Sequence, residues 1–76
     1  MKIEGLTNGE RELLFAVRTA HQNKQRTPRL KEFERLVVKL VKRRNISPGD
    51  VAELFGITVG RVNGIVRRKG FLSEFL

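Results

Sequence analysis

An all-α fold of four short helices is the class this sequence predicts, on three observations. Apolar residues recur at three- and four-residue spacing in four separate segments. No segment alternates apolar and polar residues over five or more positions, and capping residues stand in front of the helical stretches. The 76 residues suffice for one compact domain, 1–76, which buries only about 60% of its extended-chain surface. The core is therefore expected to be thin. With no cysteine, neither a disulfide nor a thiolate zinc site can brace it.

The first helix is expected to start at Thr7, because Thr7-Asn8-Gly9-Glu10 fits a capping box, and Leu13, Leu14, Val17 and Ala20 then follow at helical spacing. The polar segment from His21 to Arg26 lacks that spacing and reads as a loop. Thr27 then serves as N-cap and Pro28 as the first residue of the second helix. Leu30, Phe33, Leu36, Val37, Leu40 and Val41 give that helix an apolar stripe that lasts until about Arg44.

Ser47 caps the third helix, with Pro48 first, Asp50 at the box position and Ile46 able to staple against Val51. Gly56 ends it by taking the left-handed backbone. Thr58 caps a fourth helix, with Ile57 and Val62 as its staple. Gly70 closes this helix, leaving the apolar tail Phe71, Leu72, Phe75 and Leu76, with room for a short fifth turn. The tail either packs back on the first two helices or, like the first helix, serves a homodimer contact.

The formal charge of +8, from 16 Lys and Arg against 8 Asp and Glu, points to a polyanionic partner. No run of about 18 apolar residues could span a bilayer, and no signal segment is visible, so a cytoplasmic, nucleoid-associated protein is expected. His21, the one histidine, sits in a polar stretch without a nearby acid and reads as a surface residue. With no Walker-type loop and no paired-helix metal motif, neither enzyme activity nor a cofactor is expected.

Two short capped helices joined at a glycine, with Val51, Ala52, Phe55, Ile57, Val62 and Ile65 turned inward, are the arrangement of a groove-reading unit. The segment 47–69 resembles the helix-turn-helix of the phage-repressor and homeodomain-like superfamily, including recombinase DNA-binding domains. Ala52 matches the small residue at the helix junction, Gly56 the turn glycine, Ile57 the apolar residue after it, and Val62 and Ile65 the inward positions of the recognition helix. The resemblance implies binding of double-stranded DNA by helix 59–69, and a small transcriptional regulator, phage- or plasmid-like in its size. An architectural, packaging or recombination accessory factor, similar to a small terminase, is the alternative within the same class. A protein-interaction module contacting the transcription machinery is the alternative outside it. RNA binding is the weaker option, because stacking platforms need exposed aromatics.

On the fourth helix Val59, Val62, Ile65 and Val66 fall on one side, and Gly60, Asn63, Gly64, Arg67 and Arg68 on or near the other. Asn63 suits bidentate contact with adenine, Arg67 with guanine, and the Val59 methyls suit a thymine methyl. Gly60 and Gly64 would let the helix backbone come close to the bases, or else reflect an unselected surface. Thr58, Arg61, Arg68 and Lys69 are candidates for phosphate contact, although cations at a helix end also complement its dipole. Lys31, Arg35, Lys39 and Lys42 form a basic stripe on the second helix, continued by Arg43 and Arg44. Lys39, Lys42, Arg43 and Arg44 are further phosphate candidates, the alternative being a solvated outer face.

Overall fold

The structure, a computed structural model, describes residues 5–69. The expected helix stop at Gly70 and the tail residues Phe71, Leu72, Phe75 and Leu76 lie outside the described residues. The described residues are all-helical: α1 is Asn8–Gln22, α2 Leu30–Val38, α3 Pro48–Phe55 and α4 Val59–Lys69. A π-helical turn, Lys39–Arg43, prolongs α2. Both α1 and α4 pack on α2 and α3. None of the described helices is long and apolar enough to cross a membrane.

The capping box at the start of α1 is complete. The Glu10 N–H donates to Thr7 Oγ1 at 3.1 Å, and the Thr7 N–H donates to Glu10 Oε1 at 2.9 Å. Leu13, Leu14, Val17 and Ala20 are all buried, as their spacing requires. The helix outlasts its apolar stripe, however. His21 and Gln22, expected in a loop, form its last turn, which closes in a Schellman motif. There the Lys24 N–H donates to the His21 carbonyl at 3.1 Å and the Gln25 N–H to the Ala20 carbonyl at 2.8 Å. Lys24 holds the left-handed position of this motif at φ 55°, and with no glycine there the sequence gives no stop signal. His21 is half-buried rather than a surface residue, with Nε2 enclosed and unpaired among the described residues.

The start of α2 differs from expectation for a local reason. Arg29 takes a left-handed backbone, φ 50° and ψ 50°, so Pro28 lies in a turn and the helix begins at Leu30 with no side-chain cap. The Thr27 hydroxyl accepts from Arg61 of α4 instead of capping α2. Leu30, now a terminal residue, is 48% exposed and leaves the core stripe. Phe33, Leu36, Val37 and Leu40 are buried, and so is Val38, which the stripe omits. The helix ends at the expected place but through a wider turn. The Arg44 N–H donates to the Lys39 carbonyl at 3.1 Å and the Ile46 N–H to the Leu40 carbonyl at 3.0 Å, around a left-handed Asn45.

Ser47 and Thr58 cap α3 and α4 as their sequence context requires. Ser47 Oγ accepts from the Asp50 N–H at 3.2 Å, and Thr58 Oγ1 from the Arg61 N–H at 3.2 Å. Ile46 and Val51 are both buried, consistent with the staple. Phe33 of α2 and Phe55 of α3 meet edge to face, ring centroids 5.1 Å apart, and neither has any exposed surface. Val17, Val51, Val62, Ile65 and Leu54 complete the contacts among the four helices, and the buried side chains described are all apolar.

Candidate nucleic-acid interface

The direction of α4 is set by three residues. Gly56 at φ 70° closes α3 in a second Schellman motif, with the Ile57 N–H donating to the Ala52 carbonyl at 2.9 Å, and Thr58 opens α4 immediately afterwards. Val62 and Ile65 then hold α4 on the core. At about 100° per residue, these two inward residues leave an outward arc centred on Gly60 and Arg67, with Asn63 and Gly64 beside them. Gly60, Asn63 and Arg67 are exposed and Gly64 is half-buried. None is occluded by the rest of the described chain.

The two glycines have no packing reason in the fold. Among the described residues, a Cβ built at Gly60 or at Gly64 meets nothing within 4 Å, so neither a neighbouring side chain nor another backbone there requires its absence. Both backbones take helical angles open to any residue, since the positive-φ glycines are Gly5 and Gly56.

The edges of this arc differ in chemistry. Val59, which periodicity groups with the inward valines, is 45% exposed and forms an apolar edge, continued by half-buried Val66. The opposite edge carries Arg61 and Arg68 and lies against α2. Arg61 donates from Nη2 to Thr27 Oγ1 at 3.4 Å with its guanidinium 5.8 Å from the Phe33 ring centroid, and Arg68 stands 3.8 Å from Glu34. The Arg68 side chain remains 68% exposed, so this loose pair leaves its charge accessible. Lys69 and Thr58 are exposed at the two ends of the helix.

The basic stripe on α2 does not join this face as a unit. Lys39 Nζ bonds Glu10 Oε2 at 2.8 Å across to α1, and Arg35 and Lys39 line a groove of about 220 Å³ with Glu10, Leu13, Glu32 and Leu36. That groove is on the α1 flank of α2, whereas Glu34, the residue near Arg68, is on the α4 flank. Lys39 is thereby paired with α1, its side chain remaining 43% exposed. The Lys39 hydrogen bond, followed by that from the Thr7 N–H, holds the Glu10 carboxyl below the ordinary glutamate value. Lys42, Arg43 and Arg44 are exposed at the far end of α2 from Arg61, and Arg44 donates to the Gly5 carbonyl at 3.4 Å.

The sequence gives no sign that the segment containing Thr27 meets α4 at Arg61. Thr27 belongs to the segment 23–29, whose Lys24, Arg26 and Arg29 are exposed. What the sequence does show of this segment is its charge, because no acidic residue occurs between Glu12 and Glu32. Arg18 of α1 also reaches the α3–α4 turn, its Cγ lying 3.8 Å from the position a Cβ would take at Gly56. No family model matches the chain, and no curated protein or solved structure matches it.

Proposed function

We propose that this protein binds double-stranded DNA by seating the outward face of α4 in the major groove, as a small regulator of transcription. The observation that carries the reading is the pair Gly60 and Gly64. Each weakens an exposed helix by roughly up to 1 kcal/mol relative to alanine, a considerable cost in a small domain, and nothing in the fold requires either one. Close approach of an external surface to the helix backbone accounts for both. The residues around them suit a base-pair edge: Asn63 can make the paired contact that adenine offers, Arg67 that of guanine, and Val59 can meet a thymine methyl. Arg61 and Arg68 border the same face and suit phosphates, as do Lys69 at the C-terminal end of the helix and the N–H groups of the first turn of α4 under Thr58. The net charge of +8 supports a polyanionic partner without specifying one.

Duplexes selected from random sequence, compared with unselected ones over a salt series, test this reading. Asn63→Ala and Arg67→Ala should keep the wild-type helical content and lose about 1–3 kcal/mol of preference each for the selected sequence. Unchanged preference in both variants would favour an architectural role, in which α4 grips the duplex without reading it. Failure of the wild-type protein to bind any duplex at low salt would refute the proposal and favour a protein-interaction module.

A further inference from the structure

The α2-side edge of α4 does not end at Arg61. Its hydrogen bond to the Thr27 hydroxyl ties the segment 23–29 to the first turns of α4 at that residue, and its guanidinium lies over Phe33 of α2. Arg29 is drawn to Glu32, whereas Lys24 and Arg26 have no carboxylate partner among the described residues. Between Glu12 and Glu32 the chain carries Arg18, Lys24, Arg26, Arg29 and Lys31 and no acid, so the local field is of one sign.

The segment also has a fixed shape. The Asn23 N–H donates to the Thr19 carbonyl at 3.0 Å, and the Lys24 and Gln25 N–H groups close the Schellman motif on α1. Two of its cations occupy left-handed backbone, Lys24 at φ 55° and Arg29 at φ 50°, where glycine or asparagine would sit with less strain. Packing supplies no reason for a long exposed cation at Lys24. A helix lying in a major groove has a phosphate strand along each border. On the α2 side that border is made by Arg61 and Arg68, and the 23–29 segment meets it where Thr27 accepts from Arg61.

We propose that the 23–29 segment, through Lys24 and Arg26, is a second contact surface that grips the phosphate strand bordering the groove occupied by α4. This rests on the reading of α4 as the groove-seated helix. The two cations carry no sequence information. They fix the register of α4 on the duplex and supply salt-dependent affinity.

The test is the salt dependence of duplex binding by the full chain carrying Lys24→Asn and Arg26→Gln, asparagine being chosen because it tolerates the left-handed backbone. Arg35→Gln, on the α1 flank of α2, serves as the charge control. The double variant should bind with a log–log salt slope shallower by about 1.8, at about 0.9 for each phosphate no longer neutralised, and by the same amount on selected and random duplexes. Arg35→Gln should leave the slope unchanged. A wild-type slope in the double variant would overturn the loop contact and leave the α4 reading intact. An equal shift per charge from Arg35→Gln would reduce the effect to net charge and overturn it, as would a loss of sequence preference in the double variant. If the wild-type protein bound no duplex, the α4 reading would fail and the loop contact with it.

Discussion

Replacing Gly60 and Gly64 by alanine should move stability and binding in opposite directions. Gly64 lies inside α4, where alanine is favoured by roughly 1 kcal/mol. Gly60 is the second residue of the helix, where part of the backbone is still unpaired and the gain is about half as large. Because neither added methyl meets an atom of the described residues within 4 Å, no packing cost among them offsets the gain, and the double variant should be stabler by about 1.5 kcal/mol. For a domain of this size that raises Tm by roughly 6–12 °C, which thermal denaturation followed by helical circular dichroism resolves easily. On the duplex the same methyls would separate surfaces that otherwise touch. Overpacking of that kind costs about 1 kcal/mol or more, roughly fivefold or more in affinity. Titration of a labelled duplex with the wild-type and double-variant proteins at one salt concentration measures it. A stabilised variant that binds as tightly as wild type would refute close approach at these positions. A destabilised variant would instead refute the claim that the two sites open onto free space.

Two further outcomes follow from caps and charges. Ser47→Ala removes the hydroxyl that accepts from the Asp50 N–H and should cost about 1 kcal/mol in chemical denaturation, while a change within error would mean that Pro48 and the Ile46–Val51 staple hold the start of α3 alone. Glu10 titrates below the ordinary glutamate value of 4.5 in the folded protein, so its stabilising effect is complete above that value and is lost as pH falls through the depressed one. Lys39→Met should cost about 0.5–1 kcal/mol near neutral pH, since the lysine side chain is 43% exposed, and the gap to wild type should close as acidification carries Glu10 through its depressed value. A gap that persists unchanged in acid would assign the loss to packing of the lysine stem.

What can be read from the sequence is what acts within one turn of helix. The Thr7, Ser47 and Thr58 caps and the Gly56 stop each depend on neighbours a few residues away, and they hold in the structure. So do Leu13, Leu14, Val17 and Ala20, whose spacing alone identifies the buried side of α1. The departures share a different origin. Local sequence assigns Thr27 to cap α2, but its hydroxyl serves Arg61, 34 residues further along. Spacing assigns Lys39 to an outer stripe, but it pairs with Glu10, 29 residues earlier. No rule of local spacing identifies such partners. The π turn after Val38 and the left-handed Lys24 and Arg29 escape the sequence for another reason, because none of the residues there is a glycine that would mark unusual backbone.

Val59 shows where periodicity stops being informative and position along the helix takes over. Its angle groups it with Val62 and Val66, yet it is the first residue of α4 and is 45% exposed where Val62 has no exposed surface. An apolar residue at that corner adds nothing to the core that Val62 and Ile65 do not already supply. The same division holds along the outward arc, where Gly60, Asn63 and Arg67 are exposed and Gly64 has open space above it. The fold of α4 therefore rests on Val62 and Ile65, on half-buried Val66 packed against the core, on its Thr58 cap and on the Arg61 contacts with Thr27 and Phe33. Positions 59, 60, 63, 64 and 67 should accept substitution with little loss of stability, so that under the proposed function a loss of duplex binding in such variants reports on contact and not on folding.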